Sequence, residues 1–571
     1  MSVTGIYVTR KTASCDALLE RVAQRPGARR LTPQLVVIDD MATETAETAP
    51  PLYNINNNGI FSFADGAVQL DTEHRQAIYR RDRFGELSLY HAEPAPGCTV
   101  FSTSLPDIQG IIQGPLDTES LVSMLRLGYT PAPKTLYVGV AKVPANHTAT
   151  VSVDDAACGL QSNGTLPPIR ETTAEAALAE LEVLLKESLT RTLDGGAGAD
   201  VLLSGGVDSG IVTGFVQRFF PDTERRAFTI ACEEEGYDES PVAAQTAAIH
   251  GLTIQRIPLK PAQIIDLLPR IIALAGEPFA DASIIACALA YEAVPAGRIV
   301  LTGDGGDELF GGYRRYRAMA MRHRMPEWLD AAQRPLSRFG AALLPAGGDQ
   351  RSRTALMRRM LTMAGLPRAE AYATFQQLCD AKTAAALLAI EAPEATFPAR
   401  WQTFLEALPP DGLFPYNALD LQFYLPEDCC RKSELAAQYA KRRVVGPIQC
   451  GPVADFALSL PTSLRFNTKA GKLLLRRLAV KHSLLPGDAL NAPKRGFGLP
   501  LAKWFRQGPL ADRITELAAT AREWDKTGLL DVSAIVRLAD EHRHGRRNNA
   551  GPLWMVLCLH AWLTTMPHLY R

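Results

Sequence analysis

Neither sign of charge dominates this sequence. Across 571 residues, 60 lysines and arginines nearly cancel 61 aspartates and glutamates, leaving a formal charge of −1. Such a balance gives no basic footprint for nucleic acid and no acidic field for cationic partners. Long apolar runs are missing as well. No stretch of about 18 apolar residues occurs, and "MSVTGIYVTRKTASCDALLE" has no apolar core of signal-peptide length, so no membrane partner is expected. The ten cysteines form no C-x-x-C pair and no Cys/His cluster at zinc spacing; only Cys429 and Cys430 are adjacent. Reduced thiols in a cytoplasmic protein fit this usage, and a structural zinc site does not. There is no internal repeat, and the short basic segments "RRYRAMAMRHR" and "HRHGRR", around Arg543, read as solvated helix faces.

What is present falls into two parts, within the two to four domains that this length allows. The first 150 residues give short alternating segments such as "QLVVID", "QAIYRRDRFGELSLYHA", "CTVFSTS" and "HTATVSV", separated by turn residues. They predict a β-rich layered unit. "LDTESLVSMLRLGY" predicts a helix capped by Asp117 or Thr118. The polar stretch "DDAACGLQSNGTLPPIRETT" has linker composition, which divides the chain into units 1–165 and 172–571. Beyond it the amphipathic "AEAALAELEVLLKESLTRTL" precedes the apolar runs "ADVLLSGG", "RRAFTIACE", "LTIQRIPLK" and "GRIVLTGDGG". Strands alternating with helical pattern predict an α/β unit with a doubly wound parallel sheet. From Tyr313 onward the pattern is mostly helical.

Two hinges carry the chemistry. Ser204, Gly205, Gly206, Asp208 and Ser209 lie where a buried strand hands over to a helix. Backbone N–H groups and the helix dipole there suit phosphate, and Asp208 suits a metal ion that itself holds phosphate. Gly210, on the first helical turn, costs about 1 kcal/mol of helix propensity and touches no catalytic group. The second hinge, "VLTGDGGDELFGGYRRY", carries Gly303, Asp304, Gly305, Asp307 and Glu308. In a doubly wound sheet the two hinges share one edge, so Asp208 and Asp307 would flank one Mg²⁺ on a nucleotide polyphosphate.

These hinges, with "EGYDESPVAAQTAAIHG" and "EPFADASII" in this order and spacing, resemble asparagine synthetase B and its relatives. "RRDRFGELSLYH" and "LGYTPAPKTLYVGVAKVPANH" are similar to the family's glutaminase-type domain of Ntn type. "YLPEDCCRKSE", "GKLLLRRLA" and "APKRGFGLPLAKWF" extend the likeness toward the C-terminus. The resemblance implies a PP-loop fold, ATP and Mg²⁺. It also implies a reaction in which a carboxylate attacks the α-phosphorus, pyrophosphate leaves, and an amine captures the acyl-adenylate. It assigns Lys494 to charge on the α-phosphate, Lys472 to a second phosphate contact (a surface helix lysine reads equally well), and Leu203 with Phe228, Thr229 and Ile230 to the nucleotide. Asp304 falls where β-lactam synthetase, a relative, carries a catalytic tyrosine, and Glu308 and Tyr313 belong with the substrate pocket.

The sequence also departs from that family. Its glutaminase uses a cysteine directly after the initiator Met, whereas this chain reads Met1-Ser2-Val3 with its first thiol at Cys15. The motifs that hold glutamine are not recognisable, so glutamine hydrolysis is not expected. In "AKRRVVGPIQC", Arg443, Val445 and Cys450 stand where asparagine synthetases carry a glutamate, an arginine and an aspartate. The expected reaction is therefore amide formation on a carboxylate- and amine-bearing peptide or small molecule, by ring closure as in lasso-peptide macrolactam or β-lactam synthetases. A biosynthetic partner such as a protease would suit the peptide case. Glutamine- or ammonia-dependent asparagine synthesis and a non-catalytic scaffold are the alternatives. Oligomeric state and substrate identity are not legible.

Overall fold

Period-two alternation in the first part of the chain builds two facing antiparallel sheets. The computed structural model describes the chain except residues 1–2, 9–12, 26–27, 33–34, 40–52, 56–59, 64–66, 72, 113, 155–156, 195, 197, 235, 345–352, 410–413, 492–497 and 567–571. The first sheet runs Ala141–Lys142, Tyr90–Ala95, Cys98–Ser102, Val3–Val8, Leu35–Asp39, Ala28–Thr32. The second runs Cys158–Ser162, His147–Ser152, Gln76–Arg80, Val68–Asp71, Ile60–Phe63, Tyr53–Ile55. Successive side chains go to opposite faces. Tyr7 packs between the sheets with Leu35, Phe101, Leu70, Tyr79 and Val151, while its neighbours Ile6 and Val8 pack outward against Cys15, Leu19 and Val22 of the helix Ala13–Ala23.

Asp117 caps the helix Thr118–Leu127, its Oδ1 accepting from the Ser120 N–H at 2.9 Å. The stretch read as linker needs a correction. Cys158–Ser162 is a strand that extends the second sheet beside His147–Ser152, and every one of its residues is exposed, which is why it lacked an apolar pattern. Thr173 then caps the helix Ala174–Leu193.

The second unit holds a five-stranded parallel sheet in the order Ile254–Leu259, Ala227–Cys232, Ala199–Leu202, Ile299–Leu301, Arg443–Val445. The last strand was not foreseen. It has three residues and opens on an arginine, too short and polar to signal itself, yet Val444 pairs with Val300 and Val445 with Leu301. Ala199–Leu202 comes first in sequence but lies in the middle, with its successors on opposite sides. The strand order therefore reverses beside it, and a crevice opens at the C-terminal ends of the strands. The helix Val207–Phe219 leaves that crevice. Gly210 on it does more than loosen a turn: any Cβ there would run into the side chain of Leu485. Helices dominate after Tyr313, including a π-helical stretch, Asp420–Cys430, that carries Pro426 and continues into the α-helix Arg431–Ala440.

The two units meet through buried charge. Arg81 donates to Glu427 Oε1 at 2.6 Å, and Lys142 to Glu427 Oε2 at 2.8 Å, with all three side chains 3% exposed or less. Ser88 Oγ donates to Glu434 Oε2 at 2.6 Å.

Candidate active site

Both hinges open into one cavity of about 2050 Å³ at the crevice. In the first, the serines tie the turn together: Ser204 and Ser209 share a hydroxyl–hydroxyl contact of 2.9 Å, and the Gly206 N–H donates to Ser204 Oγ at 3.1 Å. Val207, Asp208 and Ser209, the first turn of the helix that follows, line the cavity. The second hinge packs directly against the first. A Cβ at Gly303 would strike the backbone of Asp208 and Ser209, and one at Gly306 would strike the Asp208 carboxyl, so these glycines are required by close approach.

Lys472 brings the acidic residues together. It is 4% exposed, at the left-handed N-cap of the helix Leu473–Lys481, and its ammonium contacts both Asp208 Oδ2 and Asp307 Oδ1, the latter at 2.7 Å. The surface reading of this lysine is thus replaced by a buried one. Two carboxylates already converge on one cation, and Asp208 Oδ1 is buried without a hydrogen-bond partner. That donor set fits Mg²⁺, which takes one or two protein carboxylates and completes its shell with phosphate oxygens and water. Asp208 and Asp307 would hold the ion, which would supply charge neutralisation for a departing pyrophosphate.

The rest of the cavity is a polar chamber. Asp304 Oδ2 accepts from Thr302 Oγ1 at 3.0 Å and from Ser433 Oγ at 2.8 Å. Glu308, 3% exposed, accepts from the Tyr313 hydroxyl and, at 3.6 Å, from the Cys429 thiol; burial pushes its carboxyl up from the usual range. Lys432 Nζ lies 2.8 Å from Asp281 Oδ2. Burial, then the negative charge of Asp281, pushes Asp428 up to about 8. Arg443 lines the same wall, with Arg314, Arg317, Lys469 and Arg476 elsewhere around the cavity.

Of the residues singled out from sequence, Ser204, Gly205, Gly206, Asp208, Ser209, Gly303, Asp304, Gly305, Asp307, Glu308, Tyr313, Arg443 and Lys472 line this cavity. Leu203, Phe228, Thr229 and Ile230 do not. They sit behind the wall, where the Leu203 N–H donates to the Phe228 carbonyl at 2.8 Å within the sheet. Lys494 and Ser2 lie outside the described residues. Lys432, Ser433, Cys429 and Asp281 were missed. They belong to the "YLPEDCCRKSE" and "EPFADASII" segments, but nothing in their helical pattern said which way each side chain points.

Comparison with known proteins places the chain in a family. Residues 180–564 match the asparagine synthase family model, and residues 53–161 match a glutamine amidotransferase domain. A putative asparagine synthetase (glutamine-hydrolyzing) of Mycobacterium tuberculosis, strain H37Rv, is 27% identical over 516 residues, covering 88% of this chain and 76% of that protein. Asparagine synthetase (glutamine-hydrolyzing) 1 of Bacillus subtilis, strain 168, is 24% identical over 78% of this chain and 68% of that protein. Amidase chry2 of Gibberella zeae is 26% identical over 47% of this chain and 42% of that protein. The chain belongs to the asparagine synthase family and is an ATP-dependent ligase.

Proposed function

We infer that this ligase adenylates a carboxylate and joins it to an amine carried by the same peptide or metabolite, releasing pyrophosphate and then AMP without hydrolysing glutamine. The reading rests on one cavity in which a compact phosphate end (Asp208, Asp307, Lys472 and the two hinges) meets Arg443, which stands where asparagine synthetases carry a glutamate; Val445 and Cys450, the other two altered positions, are not among its lining residues. The carboxylate oxygen would attack the α-phosphorus, with hinge amides holding the leaving pyrophosphate. The amine nitrogen would then attack the acyl carbon, AMP would leave, and the amine proton would pass to the Asp304 carboxylate, which accepts from Thr302 and Ser433. Arg443 at the pocket wall suits an acidic group on the substrate. Against glutamine hydrolysis stands Cys15, 1% exposed beside Cys98 and therefore a packed thiol rather than an accessible nucleophile.

The names of the Mycobacterium and Bacillus relatives, together with the amidotransferase match, favour a second reading, glutamine-dependent asparagine synthesis. Two assays separate them. Pyrophosphate release from Mg-ATP should require a cognate carboxylate and fall on the order of 10³-fold or more in Asp208→Ala; a fully active Asp208→Ala protein would sink the mechanism. Incubation with glutamine alone should yield no glutamate, and its appearance would transfer the assignment to the second reading.

A further inference from the structure

The helix Glu327–Leu343 sits on the protein with the wrong side outward. Trp328, Ala332, Leu336, Phe339 and Leu343 are spaced i, i+4, i+8, i+11, i+15, which is one helical face. That face is in solvent: Trp328 is 72% exposed, Leu336 74%, Phe339 64% and Leu343 70%. The face turned inward is polar. Buried Asp330 accepts from Arg322 Nε at 2.6 Å and Arg334 Nη2 at 2.9 Å. Gln333 Nε2 donates to the Ala364 carbonyl at 2.9 Å, and Arg338 Nε to that of Gly365 at 2.7 Å. Packing thus grips the helix by its polar side and leaves the apolar stripe uncovered, the reverse of an ordinary surface helix.

The two helices that flank it in sequence also expose apolar residues. Met321 on Arg314–His323 is 68% exposed, and Met357 and Met360 on Arg353–Ala364 are each 57% exposed. Scattered apolar residues on a surface are ordinary, but a contiguous stripe marks a contact. The surrounding charge says with what. Residues 314–368 hold twelve arginines, no lysine and three carboxylates (Glu327, Asp330 and Asp349) in a chain of net charge −1. Of these arginines, Arg314 and Arg317 line the cavity, Arg315 pairs with buried Asp420, and Arg322 and Arg334 converge on buried Asp330, while Arg324 and Arg338 are exposed beside and on the helix.

We propose that this face docks on an anionic lipid surface, with Glu327–Leu343 lying in the plane of the interface. Trp, Leu and Phe would enter the acyl boundary, and arginines would pair with lipid phosphates, which the guanidinium fork matches in shape. A second copy fits less well, because a symmetric contact sets the patch against itself and brings two arginine-rich surfaces together. No described helix is long and apolar enough to cross a membrane, so the contact is peripheral. The absence of a spanning run, which underlay the expectation of no membrane partner, does not bear on a helix that lies flat.

The protein carries its own probe. Trp401, Trp504, Trp524, Trp554 and Trp562 are all 7% exposed or less, so Trp328 provides the accessible emission. The full chain is titrated with vesicles of phosphatidylcholine alone, or mixed with phosphatidylglycerol, some bearing brominated acyl chains. The expected result is a blue shift and bromine quenching with the anionic vesicles only, weakened on the order of tenfold or more as salt rises. Leu336→Glu with Phe339→Glu should abolish vesicle binding while keeping the wild-type melting curve, since both positions are exposed. Trp328→Phe should remove the fluorescence response while leaving co-sedimentation with anionic vesicles. Equal binding to both vesicle types, or none, overturns the proposal. In the latter case a dimer dissociated by Leu336→Glu assigns the face to a second copy.

Discussion

Asp304 owes its orientation to two hydroxyls, Thr302 Oγ1 and Ser433 Oγ, both bonded to the same carboxylate oxygen. Removing one should leave the carboxylate in place but poorly aimed. Ser433→Ala is expected to lower kcat about 10- to 100-fold, the worth of one hydrogen bond to a charged group, with KM for ATP changed by less than about twofold. Ser433→Thr should recover most of the loss. A variant that merely melts earlier with normal kcat would assign Ser433 a structural part only. At this scale the sequence discloses Asp208, Asp307 and the hinge glycines because each stands at a strand–helix junction, where a small polar residue has few other reasons to be. Lys472 was half legible: its helix looked like a surface helix, and only the left-handed backbone at the N-cap turns the lysine inward. Leu203 and Phe228 lie within the sheet behind the cavity wall; an apolar strand shows that it is buried but not which of its peptide groups the neighbouring strand uses.

The π-helical stretch Asp420–Cys430 has a consequence for the whole element. It ends on Asp428, Cys429 and Cys430, of which the two cysteines line the cavity, and π-helical distortions recur at such functional sites. No periodicity rule would have found it, and the sequence shows only Pro426 in its middle. Its titration gives a test. Asp428 is pushed up to about 8 by burial and by Asp281, with Lys432 and Arg315 partly opposing, whereas the unfolded chain holds it near the ordinary value of 3.8. Between those values the folded form keeps a proton that the unfolded form releases. The stabilisation is complete below the unfolded value and is lost as pH rises toward 8, by at most about 1.4 kcal/mol per pH unit. Asp428→Asn cannot take part in this exchange. Its melting temperature plotted from pH 5 to 8 should therefore fall less steeply than that of the wild type, and parallel curves would show that Asp428 is ionised in the folded protein.

On the scale of the molecule, the N-terminal unit braces the segment that builds the substrate side of the cavity. Arg81 and Lys142 grip Glu427, and Ser88 grips Glu434. Between those two glutamates lie Cys429, which meets Glu308, and Lys432 and Ser433, which meet Asp281 and Asp304. A unit with no accessible thiol at Cys15 would thus keep a structural reason to be retained. The two-unit division was readable from the switch between strand alternation and strand–helix alternation. Their coupling was not, because buried ion pairs leave no periodic trace and their partners are 346 and 285 positions apart. Glu427→Ala would strand two buried cations, though Lys142 keeps a 3.5 Å contact with Glu277. Breaking one side of such a cluster costs about 3–5 kcal/mol, far more than a surface pair. Urea unfolding should show the midpoint falling accordingly, and pyrophosphate release should fall with it below the transition, because Ser433 and Lys432 lose their anchor. Glu427→Gln, which can still accept one hydrogen bond, should be milder on both readouts. If Glu427→Ala lowered stability yet left pyrophosphate release intact, the N-terminal unit would be a neighbour of the site and not its brace.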